Sequence, residues 1–379
     1  MTSLLESQHA SRGDDTAKEE LTRIWQNILG VGSIGIDEDY FDLGGDSVLA
    51  VQLFAQIERV FGVKLPLATL YEAPTIAELA RILSGEVSSS GWSPLVPIQT
   101  SGSRPPFFCF HGAGGNVLSY RKLSQHLGSD QPFYGLQCRG LDGSAEPLTT
   151  IEEMAALYVE QIRHVQRRGP YLLGGYCMGG TVAYEVGQQL CAAGESIALL
   201  ALFDTMNWHK IPLTVWSKTS YAVQRLVFHA ASFLSLGSED KVKFVKEKAE
   251  VLRNRIPVWR GMLRAKFGRP DAAPSNSLIL GRIWQINDQA SWSYIPKPFP
   301  GVLTDIRPDK QYRVFNKPDL KWDQLALGGQ RVVRLPVYPA SMLVEPFVKH
   351  LAAVLRTSID VAIGSSESSP SSKAVTCRL

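Results

Sequence analysis

A glycine-rich segment contains a cysteine in the residue spacing of a known nucleophile motif. Gly175-Tyr176-Cys177-Met178-Gly179-Gly180 has the G-x-S-x-G spacing of a nucleophile turn, with Cys177 in the serine position. Such a turn joins a strand to a helix, is strained, and leaves no room for side chains at its glycines. A thiol above the start of that helix is predicted to attack carbonyl carbon, and the helix dipole to favour its thiolate. The alternative is a buried cysteine that packs as a small apolar residue.

Two further segments hold groups that this nucleophile would need. The loop from His111 to Asn116, HGAGGN, follows an apolar run, and the backbone N–H groups of Ala113 and Met178 are the expected oxyanion donors. We expect His111 itself to be structural. Asp204 follows a second apolar run, where the acid of a catalytic triad projects from a strand end. The alternative for Asp204 is a helix N-cap or a turn residue.

A serine near the N-terminus is a candidate for covalent modification. Gly44-Gly45-Asp46-Ser47 is predicted to form a tight turn that opens a helix, which places Ser47 at an exposed helix N-terminus. A phosphodiester there would meet free N–H groups and the positive end of the helix dipole. The alternative is that Asp46 or Ser47 is an ordinary N-cap.

The elements around Ser47 are predicted to be helical. Apolar residues recur at helical spacing over Glu19–Leu29 and Val48–Phe61, and Thr75 with Glu78 forms a capping-box pattern at the start of another helix. Residues 15–83 contain eleven acidic and five basic side chains, a net charge of −6. About 70 residues of this kind can fold alone, but they offer no cleft large enough for an active site.

The chain from Ser93 to Thr357 alternates short apolar runs with amphipathic stretches, which predicts a parallel sheet with helices on both faces. The predicted strands are 107–110, 171–173, 198–203 and 332–335, and the predicted helices are 120–127, 151–165, 181–193 and 346–355. Residues 210–292 interrupt this alternation with mostly helical sequence rich in tryptophan and basic residues. Such an insertion after a strand is predicted to form a lid over a site.

Composition excludes several classes of protein. The 379 residues are 45% hydrophobic and carry a net charge of only +3, which does not favour nucleic acid as a partner. No stretch approaches the roughly 20 apolar residues of a membrane span, and the polar N-terminus is not a secretory signal. Five cysteines without metal-ligand spacing predict no metal site and a reducing, cytoplasmic location in which cysteine serves chemistry rather than cross-linking.

The segment around Ser47 also carries a family resemblance. IDEDYFDLGGDSVLAVQLFAQIERVFGVKLP, with YEAPTIAELA downstream, resembles the acyl or peptidyl carrier domains of nonribosomal peptide and polyketide synthases over about 70 residues. The resemblance implies a four-helix bundle in which Ser47 is the attachment point of 4′-phosphopantetheine. A separate phosphopantetheinyl transferase would add this group, which would carry substrates as thioesters.

The segment around Cys177 carries a second resemblance. RRGPYLLGGYCMGGTVAYEVGQQLCAAGESIALLALFDT, preceded by RGLDGSAEPLTTIEEMAALYVEQI, is similar to the thioesterase domains that end nonribosomal peptide synthetases. Those domains are α/β-hydrolases that take an acyl chain from the carrier onto their nucleophile. The resemblance places Cys177 on the family's nucleophile and Asp204 on its triad acid.

The second resemblance fails at the general base. The family ends in a G-D-H-x-x-M-L pattern whose histidine is that base, whereas the segment Val337–Leu343 has Pro339 at the histidine position. Proline has no group that transfers protons. Among the seven histidines of the chain, His209 lies five residues after Asp204 at the entrance of the predicted lid and is the best placed substitute. The alternative for His209 is a surface position in the lid.

The sequence patterns and the two resemblances together predict a multidomain chain. We expect a disordered N-terminus (1–14), an all-α four-helix carrier bundle (15–84), a linker (85–92), an α/β-hydrolase domain (93–357) and a disordered tail (358–379). The hydrolase domain would carry a mostly helical lid at about 207–294. If Met1 is the true start, adenylating or synthetase enzymes must load the carrier in trans, because no adenylation or condensation sequence is present.

The absence of the family's histidine base changes which reaction we expect at Cys177. A few per cent of a thiol with a pKa of about 8.5 is ionised at neutral pH, so cysteine needs a base less than serine does. Transfer from a pantetheine thioester to Cys177 exchanges one thioester for another, whereas attack by water needs a general base. We therefore expect transfer or slow release of a carrier-bound acyl or peptidyl group in nonribosomal-peptide or polyketide-type biosynthesis. The alternatives are a hydrolytic thioesterase with an unidentified base and a catalytically weak pseudo-thioesterase that docks the carrier.

Overall fold

A computed structural model describes residues 2–45, 47–87, 91–208, 276–311, 322–339 and 341–367, with short pieces between 223 and 241. These residues form two compact units. The first contains the described residues up to 93, and also 140–145 and 276–281; the second contains the others. The predicted boundary near residue 93 therefore misses two short segments of the first unit, because packing groups residues that are distant in sequence.

The described residues up to 93 contain four helices: α1 (Thr2–Leu29), α2 (Ser47–Phe61), α3 (Thr69–Glu72) and α4 (Ile76–Leu83). The predicted capping box at α4 is present. The hydroxyl oxygen of Thr75 accepts from the Glu78 N–H, and the Glu78 carboxylate accepts from the Thr75 N–H, both at 3.2 Å. Apolar side chains on the inner faces of these helices are fully buried: Leu21, Trp25, Leu49, Leu53, Ile57, Leu70, Ile76 and Leu79.

Helices extend into both chain ends that the sequence predicts to be disordered. Helix α1 begins at Thr2, so the predicted disorder of residues 1–14 does not hold from Thr2 onward. Once a helix is nucleated, each added residue contributes a hydrogen bond, and residues 2–14 contain no proline to stop it. The last helix runs to Glu367, past the predicted start of the tail at 358, because the buried Ile359 continues its apolar stripe. Residues 368–379 lie outside the described residues.

The second unit is built on a seven-stranded sheet. Its strands are β1 (Leu95–Gln99), β2 (Phe107–Phe110), β3 (Phe133–Leu136), β4 (Tyr171–Tyr176), β5 (Ile197–Phe203), β6 (Leu303–Pro308) and β7 (Gln330–Leu335). They lie in the order β1-β3-β2-β4-β5-β6-β7, with β1 antiparallel to β3 and every other pair parallel. All four predicted strands are present, with boundaries within four residues.

Helices follow or separate these strands. They are α5 (Arg121–Leu127), α6 (Ile151–Val165), α7 (Met178–Ala192), α8 (Asn276–Ser293) and α9 (Val348–Glu367), with a 3-10 turn at Leu118–Tyr120. The main core lies between the sheet and helices α6 and α7. No helix of the described residues is long and apolar enough to cross a membrane. Residues 209–275, most of the predicted lid, lie outside the described residues apart from the short pieces after 222.

The cysteines depart in part from the sequence prediction. Cys109, Cys138 and Cys177 are free thiols. Cys191, in the last turn of α7, is disulfide-bonded. The sequence predicts a reducing compartment in which a single cysteine serves chemistry, and it does not indicate a disulfide at Cys191, since spacing along the sequence does not report which cysteines meet in space.

Candidate active site and attachment site

The register of three neighbouring strands brings the predicted catalytic segments to one edge of the sheet. Phe110 at the end of β2 pairs with Gly175 of β4, and Tyr176 at the end of β4 pairs with Phe203 of β5. Three features follow directly after these paired strand ends: the loop that begins at His111, the turn at Cys177, and Asp204. The carboxyl edge of a parallel sheet is where α/β folds place ligands and catalytic groups.

Cys177 occupies a strained turn between β4 and α7. Its φ of 56° and ψ of −120° lie in a region that side-chain-bearing residues rarely adopt. A methyl group at Gly175 would collide with the backbone of Gly179, and one at Gly179 would collide with the carbonyl oxygen of Phe110. The glycines therefore let the strand, the turn and the helix approach closely enough to form the predicted nucleophile turn.

Hydrogen bonds fix the loop that carries the first expected oxyanion donor. The Gly115 N–H donates to the Gly112 carbonyl (2.9 Å), and the Cys138 N–H donates to the Gly115 carbonyl (2.8 Å). His111 is fully buried, with Nδ1 2.7 Å from the Gly112 carbonyl oxygen and Nε2 2.7 Å from the Tyr158 hydroxyl. Burial lowers the pKa of His111 to about 4, so its neutral ring holds the loop and is structural, as expected.

The second expected oxyanion donor lies next to the sulfur. Met178 is the first residue of α7, and its backbone N–H lies close enough to the Cys177 side chain to lower the pKa of the thiol. The first N–H groups of a helix have no partner within the helix. The Met178 N–H is therefore available to a negative oxygen that forms beside Cys177.

The sulfur environment opposes ionisation. Desolvation, followed by the negative charges of Asp204 and Asp288, raises the pKa of the Cys177 thiol to about 12, although the Met178 N–H lowers it. The helix start favours the thiolate through the Met178 N–H, but burial and the two carboxylates outweigh it. One backbone donor does not offset burial together with two carboxylates.

Asp204 directly follows β5, and a backbone hydrogen bond ties it to β6. Its N–H donates to the Ile306 carbonyl (2.9 Å), and its φ is 45°. Burial and the negative charge of Asp305 raise the pKa of Asp204 to about 7, against a lowering by Arg307. Asp305 is itself fully buried and accepts from the Arg307 Nε and the Gln330 amide at 2.7 Å. We find no hydrogen bond between the Asp204 carboxylate and any described residue.

The described part of the chain provides no histidine base for Cys177. Pro339 is buried in a turn after β7. His126 Nε2 lies 2.8 Å from the Glu345 carboxylate, and the His111 ring bonds to the Gly112 carbonyl of its own loop. His209, the substitute named from the sequence, lies outside the described residues. No hydrogen bond joins Cys177 to a histidine among the residues described.

Helix α8 contributes residues that the sequence analysis did not assign to the site. A methyl group at Gly114 would lie 3.4 Å from the Trp284 ring, and the Asn287 side-chain amide donates to the Ala113 carbonyl at 3.0 Å. Burial raises the pKa of Asp288, whose charge acts on Cys177, to about 6. The sequence signal for Asn287 is a polar residue at helical spacing with the buried apolar residues Ile283, Ala290 and Tyr294.

The predicted attachment serine begins α2. The preceding loop is anchored by Tyr40, which is fully buried and packs edge-on against Trp25 with ring centroids 5.3 Å apart. The Tyr40 N–H donates to the Pro74 carbonyl (2.8 Å), and the Gly45 N–H donates to the Tyr40 carbonyl (2.9 Å). The N–H groups of a helix's first turn suit a phosphodiester, so the backbone at Ser47, the first residue of this 15-residue helix, fits a phosphopantetheine group.

Two family matches agree with this division of the chain. Residues 19–83 match the family described as phosphopantetheine attachment site, and residues 105–261 match the thioesterase domain. The chain thus combines a carrier domain, which takes covalently attached 4′-phosphopantetheine, with a thioesterase domain of the α/β-hydrolase type. No cluster of three or more His, Cys, Asp or Glu side chains suited to a metal is found in the described residues.

Similar proteins are much larger synthetases. The chain is 43% identical over 203 residues to a dimodular nonribosomal peptide synthase of Bacillus subtilis (strain 168), covering 53% of this chain and 8% of that protein. It is 45% identical over 187 residues to malpinin synthetase of Mortierella alpina, covering 49% of this chain and 2% of that protein. A crystal structure of holo-AB3403, a four-domain nonribosomal peptide synthetase bound to AMP and glycine, matches with a TM-score of 0.54 and 26% identity. That match covers 93% of this chain and 26% of the other.

Proposed function

We propose that this chain holds an acyl or peptidyl group as a thioester, moves it to Cys177, and passes it to an amine or thiol acceptor or releases it slowly. The observation that carries the proposal is the placement of Cys177. Cys177 lies in a strained turn near the Met178 N–H, and Asp204 lies at the end of the neighbouring strand β5. Pro339 follows β7, at the position where the resembled family has its histidine.

Ser47 is the proposed attachment residue. The 4′-phosphopantetheine group supplies a thiol on which acyl groups are held as thioesters. The turn anchored by Tyr40 and the position of Ser47 at the start of α2 support this role. A phosphopantetheinyl transferase is the partner that this residue requires, and adenylating or synthetase enzymes are the proposed source of the acyl group.

The proposed chemistry at Cys177 is thioester exchange. The sulfur attacks the carbonyl carbon of the donor thioester, the donor carbon–sulfur bond breaks, and the thiol proton of Cys177 goes to the departing sulfur. The N–H groups of Ala113 and Met178 stabilise the oxyanion between these events. Because the bond formed and the bond broken are both thioesters, the exchange is close to thermoneutral.

Release by water is the slow step in this proposal. Water attacks quickly only when a base removes its proton, and general-base catalysis typically contributes about 10²–10⁴-fold. Amines and thiols are stronger nucleophiles than water. The acyl group on Cys177 therefore persists until such an acceptor arrives.

A catalytically weak thioesterase domain that docks the carrier is a second candidate. The observation that favours it is the pKa of the Cys177 thiol, raised to about 12 by burial and by the charges of Asp204 and Asp288. Very little thiolate would then be present at neutral pH unless substrate binding changes this environment.

Loading the carrier with labelled acyl groups separates the two candidates. The full chain is incubated with a phosphopantetheinyl transferase and acyl-coenzyme A donors, and peptide mass mapping then locates the acyl group. The first proposal predicts acylation of the Cys177 peptide in the wild type and in Cys109→Ala, which removes another free thiol, but not in Cys177→Ala. An acyl group that never leaves the Ser47 peptide would favour the docking module.

A further inference from the structure

Asn287 is a fully buried amide in the middle of helix α8, with an exposed fraction of 0%. Its side-chain nitrogen donates a 3.0 Å hydrogen bond to the carbonyl oxygen of Ala113. Its side-chain oxygen lies 3.9 Å from the Cys138 sulfur, and its backbone carbonyl accepts from the Ser291 hydroxyl at 2.9 Å. A buried amide requires partners, and the Asn287 side-chain N–H finds its acceptor in the oxyanion loop rather than in its own helix.

Other contacts hold α8 against the same unit. The Arg282 guanidinium donates to the Glu146 carboxylate at 2.7 Å, and the Tyr294 hydroxyl donates to the Glu185 carboxylate at 2.7 Å. Between them, the Trp284 ring lies close to Gly114. The helix is therefore fixed on both sides of the turn that carries Asn287.

The bond from Asn287 completes the restraint on Ala113. The peptide that contains the Ala113 N–H also contains the Gly112 carbonyl, which accepts from the His111 ring and from the Gly115 N–H. The next peptide contains the Ala113 carbonyl, which accepts from Asn287. With both peptides held, the Ala113 N–H cannot rotate without breaking a buried hydrogen bond.

We infer that Asn287 is a positioning residue for acyl transfer at Cys177, because it holds the Ala113 peptide in the orientation that stabilises the oxyanion. The inference rests on the proposed function and concerns one part of it. Asn287 touches neither the sulfur nor the acyl group and acts through Ala113. Helix α8 is thereby part of the oxyanion site.

The test compares two reactions of the same sulfur in the full chain. The first is acylation of Cys177 by N-acetylcysteamine thioesters (acetyl, octanoyl and phenylacetyl), each paired with its dithioester, in which sulfur replaces the carbonyl oxygen. The second is carbamidomethylation of Cys177 by iodoacetamide, which forms no oxyanion. The variants are Asn287→Ala and Asn287→Ser, with Ser291→Ala as the matched control, since it removes a buried hydrogen bond of the same helix but none to the loop.

The inference predicts that both Asn287 variants slow acylation by at least about tenfold, approaching the 10²–10³-fold typical of losing one oxyanion donor. The ratio of the acylation rate with a thioester to the rate with its dithioester should fall in both variants. The thiocarbonyl sulfur of the dithioester is a poor hydrogen-bond acceptor, so its reaction gains little from the oxyanion donors in the first place. Carbamidomethylation should stay within about twofold of the wild type, and Ser291→Ala should behave as the wild type.

Other results would overturn the inference. Equal losses in acylation and carbamidomethylation, or an unchanged thioester-to-dithioester ratio, would show that Asn287 serves only packing. Acylation by an Asn287 variant at the wild-type rate would exclude any role. If no donor acylates Cys177 in the wild type, the proposed function itself fails, which is a distinct outcome.

Discussion

The backbone N–H of Cys177 donates a 2.9 Å hydrogen bond to the carbonyl oxygen of Phe203, the residue directly before Asp204. This bond continues the pairing of β4 with β5 beyond Tyr176. The proposed nucleophile and the proposed acid are therefore held by the sheet itself, at adjacent positions of two paired strands. Neither placement depends on the lid.

Attachment of phosphopantetheine should require Ser47. After incubation with coenzyme A and a broad-specificity phosphopantetheinyl transferase, intact mass should show one added group in the wild type and none in Ser47→Ala. Ser84→Ala, at the exposed end of α4, should still be modified. An unmodified wild-type mass would remove the basis for the carrier assignment of this serine.

The Cys177 thiol should react slowly near neutral pH. Because burial and the charges of Asp204 and Asp288 raise its pKa to about 12, its alkylation rate should keep rising with pH up to pH 10. Asp288→Asn and Asp204→Asn each remove a negative charge, which lowers the thiol pKa and accelerates alkylation at pH 8. Asp323→Asn, an exposed control, should change nothing. A rate that levels off near pH 8 in the wild type would contradict the raised pKa.

Asp204 should reduce the stability of the folded chain above acidic pH. Its folded-state pKa, raised to about 7, means that the unfolded chain releases this proton at lower pH than the folded chain. The resulting loss of stability grows as pH rises from about 4 to about 7 and is complete above that. Asp204→Asn should therefore raise Tm relative to wild type more at pH 8 than at pH 5. A Tm difference that does not depend on pH would exclude a strongly raised pKa.

The sequence was a good guide wherever chemistry depends on local pattern. The capping box at Thr75 and the strand–turn–helix around Cys177 follow from residues a few positions apart, and both are present. The roles of Asn287 and Asp288 do not follow, since they arise only when α8 packs on a loop about 170 residues earlier in the chain. The raised pKa of Cys177 was missed for the same reason, because the carboxylates that act on it come from distant segments.

Restoring a histidine after β7 should speed release by water. Pro339→His places an imidazole at the buried turn where the resembled family has its base. The half-life of acyl-Cys177 should shorten at least about tenfold and approach the 10²–10⁴-fold effect of general-base catalysis. Pro336→His, at an exposed position of the same loop, is the control. Adding Asp204→Asn should abolish the gain, and a gain that survives this second change would mean that Asp204 does not orient the new base.

The lifetime of the acyl group on Cys177 decides whether this sulfur stores an acyl group for transfer. The holo-chain is acylated, freed of donor, and followed by intact mass and peptide mapping in buffer alone and in buffer with an added primary amine. We expect acyl-Cys177 to persist in buffer, to disappear when amine is added, and to yield the amide rather than the free acid. Rapid formation of free acid in buffer, with no acyl group detected on Cys177 at any time, would contradict this expectation.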